Sequence, residues 1–231
     1  MKPSPARHVD SRVALRCEEG MSALLVENPD QKLREALSQI IGEEGSIQEQ
    51  IPRIEALRSK HRHAISLIEK AEEPRYNCVQ YAFALRDLPD SIRKAVDELE
   101  SWRCERRLRR INPFDTTFVN FLIGRGALDE LNCAESGDVI VYLKNKTVTH
   151  AGKMQGGLVH SKWGHLGHLW QHRVCEVPKG YGDTVRLFRH VDKNEIFQRL
   201  SAFIEDIRNT DTRRKQVQLL TSLRLPGHRG R

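Results

Sequence analysis

Apolar positions along this chain change their period twice, and the changes mark its organisation. Residues 1–28 are polar, basic and proline-containing, and predict a flexible arm. From residue 29 the spacing becomes three and four. Leu33, Ala36, Leu37, Ile40 and Ile41 fall on one stripe, the pattern of an amphipathic helix. Gly42 and Gly45 break it. A second stripe runs through Ile47, Ile51, Ile54, Leu57, Ile65 and Ile68, with Pro52 near its start, where proline is tolerated. The two predict an N-terminal helical hairpin over 29–72. No heptad is sustained, so the hairpin reads as packing on the main domain, with a dimerisation or docking arm as the alternative.

Pro74 closes that region, and Asn77 is a good N-cap for a helix running through Val79, Tyr81, Ala82, Ala84 and Leu85. A further helix is predicted from Ser91 to about Arg110, stopped by Pro113. An aromatic, apolar run from Phe114 to Leu122 ends at Gly124 and Gly126. Beyond residue 133 the texture becomes β-branched and turn-punctuated. GDVIVYLKN (137–145), TVTHAGKM (147–154), a Gly156-Gly157 turn, LVHSKWG (158–164), HRVCEVP (172–178) and DTVRLFRH (183–190) predict consecutive antiparallel strands. From Asp192 the helical period returns, with Ile196, Leu200, Phe203, Ile204 and Ile207 on one face. The closing RLPGHRGR predicts disorder. The order of helices, sheet and helix gives an α+β class. Its parts are the arm (1–28), the helical region (29–72), a main domain (73–191) with a basic helical insertion at about 91–126, and a C-terminal helix with a basic tail (192–231).

Composition sharpens this in two places. At 231 residues with 39% hydrophobic and 30% charged side chains, the chain supports one domain with a real core plus appended helices. No apolar run is long enough to span a membrane, and the N-terminus lacks the apolar segment of a secretory signal. The cysteines Cys17, Cys78, Cys104, Cys133 and Cys175 are odd in number and widely spaced, without a CxxC pair. That argues against a disulfide framework or zinc ribbon and for reduced thiols in a cytoplasmic setting. The net charge of +7 is concentrated in SWRCERRLRR. Arg103, Arg106, Arg107, Arg109 and Arg110 there form either a solvated helix face or a docking strip for an acidic protein or nucleic acid.

The candidate chemistry centres on Cys78. A cysteine attacks as thiolate, and a capped helix start or a nearby histidine lowers its pKa. His150, His160, His165, His168 and His172 crowd into the predicted sheet. His150 is a candidate base, and Gly152 leaves room for close approach. If the two strands pair as a hairpin, His160 is a near neighbour that orients it. GHLGHLWQH has helical ligand spacing, yet no acidic or thiol partner clusters nearby except Cys175. A metal reading of His165, His168 and His172 is therefore set aside, and no cofactor is implied. Cys104, Cys133 and Cys175 read as structural, Trp163 as a candidate cleft wall and Trp170 as core or rim. The backbone N–H of Cys78 is one oxyanion donor, and a second is not identifiable from sequence.

NCVQYAFAL, GDVIVY, THAG and LVHSKWG, in that order over about residues 74 to 190, resemble the NlpC/P60 group of papain-like cysteine hydrolases. In that group a cysteine opens a helix, and a Gly-Asp-hydrophobic strand, a His-x-Gly strand and a strand with a third polar residue follow. The resemblance implies a papain-like core whose nucleophile helix packs on the antiparallel sheet. It makes Cys78 the nucleophile, His150 the base and His160 the orienting residue, acting on a peptide or amide through a thioester. Asn-Cys-Val-Gln departs from the usual Asp-Cys-Ser-Gly and is nearer to the CHAP amidases, where an aromatic-alanine pair such as Tyr81-Ala82 follows. Two alternatives stay open. One is an inactive papain-like scaffold binding nucleic acid or protein, and the other is a thiol acyltransferase or deamidase used as a bacterial effector.

Overall fold

The computed structural model describes residues 15–17, 24–26, 30–43, 47–71, 76–108, 112–164 and 167–223, with the backbone alone for 15–17, 24–26 and 214–223. Its centre is a four-strand antiparallel meander: β5 (Val139–Lys144), β6 (Thr147–Gln155), β7 (Leu158–Lys162) and β8 (Leu169–His172). The last strand, β9 (Thr184–Phe188), does not continue the meander. It crosses back to pair with β5, Ile140 opposite Leu187. β4 (Glu130–Leu131) pairs with β9, and β3 (Ser66–Glu69) adds to β8 at the opposite edge. All pairings are antiparallel, which together with the helices makes the class α+β.

Both faces of β5 are buried because helices cover both sides of the sheet. Val139, Val141 and Leu143 point into one core with Val79, Leu99, Phe118, Leu122, Leu200 and Phe203. These come from α3 (Cys78–Ala82), α4 (Asp90–Glu105), α5 (Thr116–Gly124) and α6 (Lys193–Leu223). Ile140 and Tyr142 point into a second core with Leu33, Leu37, Ile40 and Ile54, from α1 (Gln31–Gly42) and α2 (Gln50–Ala56). The alternation along one strand thus feeds two cores.

Several expectations need correction. Within the predicted arm, β1 (Leu15–Cys17) and β2 (Leu24–Val26) form strands, and β2 joins the sheet at β9. The second helix of the hairpin does not reach Ile68. A 3₁₀ turn at Ile47–Glu49 leads into α2, a second turn ends at Ser59, and the chain then becomes β3. The reason is tertiary. The buried Glu176 carboxylate accepts the Ala64 N–H, Arg58 Nη2 donates to the Ile65 carbonyl, and the open edge of β8 supplies a ladder. The helical region therefore packs on the sheet and feeds it a strand. The strand expected at 172–178 lies earlier, at Leu169–His172. Beyond it, Glu176 accepts from the N–H and guanidinium of Arg173 and turns the chain. The predicted disordered end at 224–231 lies outside the described residues.

Candidate functional site

Asn77 caps α3 as its sequence predicts. Its side chain accepts the Gln80 N–H at 2.9 Å, and Gln80 Oε1 accepts the Asn77 N–H at 3.1 Å, a reciprocal capping box. The helix is shorter than its apolar pattern suggests. Leu85 N–H bonds the Gln80 carbonyl and Ala84 N–H the Tyr81 carbonyl, with Ala84 at φ 55, so a Schellman turn closes it after Ala82. Ahead of the cap, Tyr76 is held by its hydroxyl, which donates to Glu69 at 2.7 Å. Two cations flank its ring, Lys162 Nζ at 3.7 Å and Arg86 at 3.9 Å. Both ends of α3 are therefore pinned, and Cys78 sits at its first position.

His150 lies on β6 beside a bulge. Tyr142 pairs with His150 and Leu143 with Val148, which leaves Thr149 as the extra residue. Cys78 and His150 line one cleft of about 490 Å³, together with Asn77, Asp115, Thr149, Gly164 and Tyr181. The Ala151 N–H, next in chain to His150, reaches the Cys78 thiol. So folding delivers the THAG strand to the head of the NCVQYAFAL helix.

The electrostatics differ from the expected lowered thiol pKa. Burial pushes the Cys78 thiol up, more than the N–H groups of Ala151, Val79 and Cys78 pull it down. α3 has only five residues, too short for a strong dipole. Burial, followed by the nearby His172, holds the His150 imidazole well below its ordinary value. At rest the pair is a neutral thiol and a neutral imidazole. His150 Nε2 is buried and has no hydrogen-bond partner among the described residues.

His160 does not stand beside His150. The register sets it opposite Lys153, three positions further along β6 and hence on the other face of the sheet from His150. Its Nε2 bonds Gln171 Oε1 at 3.1 Å, and it is outside the cleft lining. Trp163 is not a cleft wall either. It is fully buried and stacked on Trp170, ring centroids 5.6 Å apart.

His168 and His172 serve as structural links. His168 accepts the Ala71 N–H at Nδ1 and donates from Nε2 to the Ile47 carbonyl, both at 2.8 Å. His172 donates from Nδ1 to the Arg173 carbonyl, so its Nε2 accepts the Ser161 hydroxyl at 2.8 Å, and Ser161 in turn accepts from Trp163 Nε1. That Ser–His pair has the spacing of a nucleophile and base, but both residues are fully buried. His165 lies outside the described residues. Of the basic strip, Arg103 is buried and paired with Asp211 on α6, so it is not a docking residue. Arg106 stacks on Trp102, Arg107 is exposed, and Arg109 and Arg110 lie outside the described residues.

Two cleft-forming features escape sequence reasoning. Tyr181, in a 3₁₀ turn at Lys179–Tyr181, lies flat on the His150 ring. Arg34, on α1 and fully buried, donates from Nε to the Val177 carbonyl at 3.1 Å and from Nη2 to the Gly182 carbonyl, and pairs with Asp183. One guanidinium thus ties both ends of the segment that carries Tyr181. The available signal was an arginine beside the apolar stripe of α1, between Leu33 and Leu37. Gly182 completes the docking at φ 94, where a Cβ would collide with the Leu143 carbonyl.

Among the described residues, no helix is long and apolar enough to cross a membrane. Residues 67–189, more than half of the chain, match the family described as a domain of unknown function, DUF7689, and the chain belongs to that family. No curated protein and no solved structure matches it.

Proposed function

We propose that this member of the DUF7689 family is a cysteine-dependent hydrolase of peptide or amide bonds, on a papain-like core of the NlpC/P60 kind. The observation that carries the reading is the shared cleft: Cys78 on a capped helix start and His150 on a bulged strand both line it, 72 positions apart in sequence. The antiparallel sheet behind the cysteine helix is the arrangement that the sequence resemblance implies.

The neutral resting pair suits general-base attack better than a preformed ion pair. Cys78 Sγ bonds to the substrate carbonyl carbon as His150 takes the thiol proton, and the carbonyl π electrons move to oxygen. The tetrahedral species collapses, the C–N bond breaks, and the amine leaves with the proton from His150. Water then attacks the thioester, His150 takes its proton, and the acid and the free thiol are released. An amine in place of water would give acyl transfer. His160 is given no part in this dyad, since the register turns it away from His150.

A second reading is a papain-like scaffold that binds a partner without catalysis. It is favoured by the same burial that keeps both groups neutral. Acylation with p-nitrophenyl acetate separates the two. The hydrolase forms an acetyl thioester at Cys78 faster than at the exposed Cys104 and Cys133, and His150→Ala slows it roughly a hundredfold. Acetylation that favours Cys104 and Cys133 and ignores the His150 change overturns the hydrolase.

A further inference from the structure

Resting on the hydrolase reading, we infer that Tyr181 is a catalytic residue of this site: its hydroxyl is the second oxyanion donor, opposite the backbone N–H of Cys78, while its ring orients His150. The hydroxyl is held inside the cleft. Gly164 N–H donates to Tyr181 Oη at 2.9 Å, and both residues line the cleft with Cys78 and His150. Among the described residues nothing accepts the phenolic proton itself, so it is available to an oxygen in the cleft. Accepting from an amide also makes the phenol a stronger donor, because hydrogen bonds in a chain polarise one another. Burial, chiefly, keeps the phenol protonated, and Cys78 is close enough to add to the effect.

Three backbone groups around Tyr181 are held, and an exposed side-chain ion pair adds to them. Thr149, the bulge residue, donates its hydroxyl to the Tyr181 carbonyl at 2.5 Å. Ser38 Oγ accepts the Gly180 N–H at 3.1 Å, Lys179 reaches Glu35 at 2.7 Å, and Arg34 holds the carbonyl of Gly182. α1 supplies three of these four holds, so the N-terminal helix is part of the active-site support. A donor that stabilises a developing charge must be set before the reaction, and this turn is. The same ring, parallel to His150 to within 7° and 3.9 Å away, offers its π face to the imidazolium that forms when the thiol loses its proton.

The inference separates two reactions of one sulfur. Acylation by p-nitrophenyl acetate builds negative charge on a carbonyl oxygen. Alkylation by iodoacetamide displaces iodide and builds none at a carbonyl. In Tyr181→Phe, which keeps the ring, acetylation of Cys78 falls roughly a hundredfold and alkylation of Cys78 is unchanged. In Tyr181→Leu, which also removes the stack, both reactions slow. The proposal is overturned if Tyr181→Phe leaves both rates unchanged, or slows both by the same factor, since the hydroxyl then acts on the thiol and not on the oxyanion. Failure of the hydrolase reading has a different mark, a His150→Ala chain that acetylates at the wild-type rate.

Discussion

The imidazole of His150 lies flat on the phenol ring of Tyr181, centroids 3.9 Å apart and planes 7° from parallel. A strand residue and a turn residue are thereby stacked as one unit in the cleft that Cys78 also lines. The imidazole keeps its orientation without a carboxylate or amide on its buried Nε2. Three consequences concern the frame around this unit.

Arg34 is the main tie between α1 and the turn that carries Tyr181. Arg34→Met keeps most of the packing volume but leaves the carbonyls of Val177 and Gly182 without their donor. Asp183 is more than half exposed, so its loss counts for little. We expect the variant to lose about 2–4 kcal/mol in urea unfolding, from the buried carbonyls. Its Cys78 acetylation should fall as Tyr181 loosens. A change within about 0.5 kcal/mol would show that the turn holds without this contact.

Acid should weaken the fold through its buried histidines. Burial holds His172 down at about 4, against an ordinary 6.5, and also lowers His150 and His168. Between pH 6.5 and 4 the unfolded chain binds a proton at His172 that the folded chain refuses, and His150 and His168 act in the same direction. Stability is therefore full above pH 6.5 and declines as pH falls, His172 alone accounting for about 3 kcal/mol. Urea unfolding at a series of pH values measures the slope. His172→Gln should flatten it, and an equal slope in that variant would mean the histidine is accessible to protons in the folded chain.

Gly152 lets β6 and β7 pair closely beside the site. A Cβ there would sit 2.8 Å from the His160 carbonyl oxygen and 2.9 Å from Ser161 Cβ and Val159 Cγ1. All three contacts are backbone or stiff side chain and have little room to yield. Gly152→Ala should lower stability by about 1–3 kcal/mol, as overpacking does. Gly124→Ala, at a position with open space around it, is the matched control and should not destabilise. Thermal melts of the two variants would decide it, and equal melting points would contradict the close approach of the strands.

Local signals were legible wherever a residue and its neighbours set the outcome. The capping pair Asn77 and Gln80, the apolar stripe of α1, the face of α6 from Ile196 to Ile207 and the alternation in GDVIVYLKN all act within a turn or a strand, so spacing reveals them. The order of a capped cysteine before a strand histidine belongs to the same class. The errors fall where distant segments compete for the same backbone. The stripe through Ile65 and Ile68 predicts helix, but the free edge of β8 and the Glu176 carboxylate draw that stretch into β3. A β6–β7 hairpin predicts His160 as a neighbour of His150, but pairing with Lys153 sets the register, and one odd step in a pleated strand reverses a side chain.

Periodicity and capping are properties of adjacent residues, so the amino-acid order alone determined α1, the capped start of α3, α6 and the strands β5 to β7, and it singled out Cys78 and His150 as candidates. The surroundings of that pair required the folded chain. Arg34 meets Val177 across 143 positions, and Tyr181 reaches His150 from a turn with no periodic signal. Long-range contacts of this kind leave no trace in local spacing, and burial reversed the thiol's expected pKa shift because desolvation depends on everything packed around the sulfur.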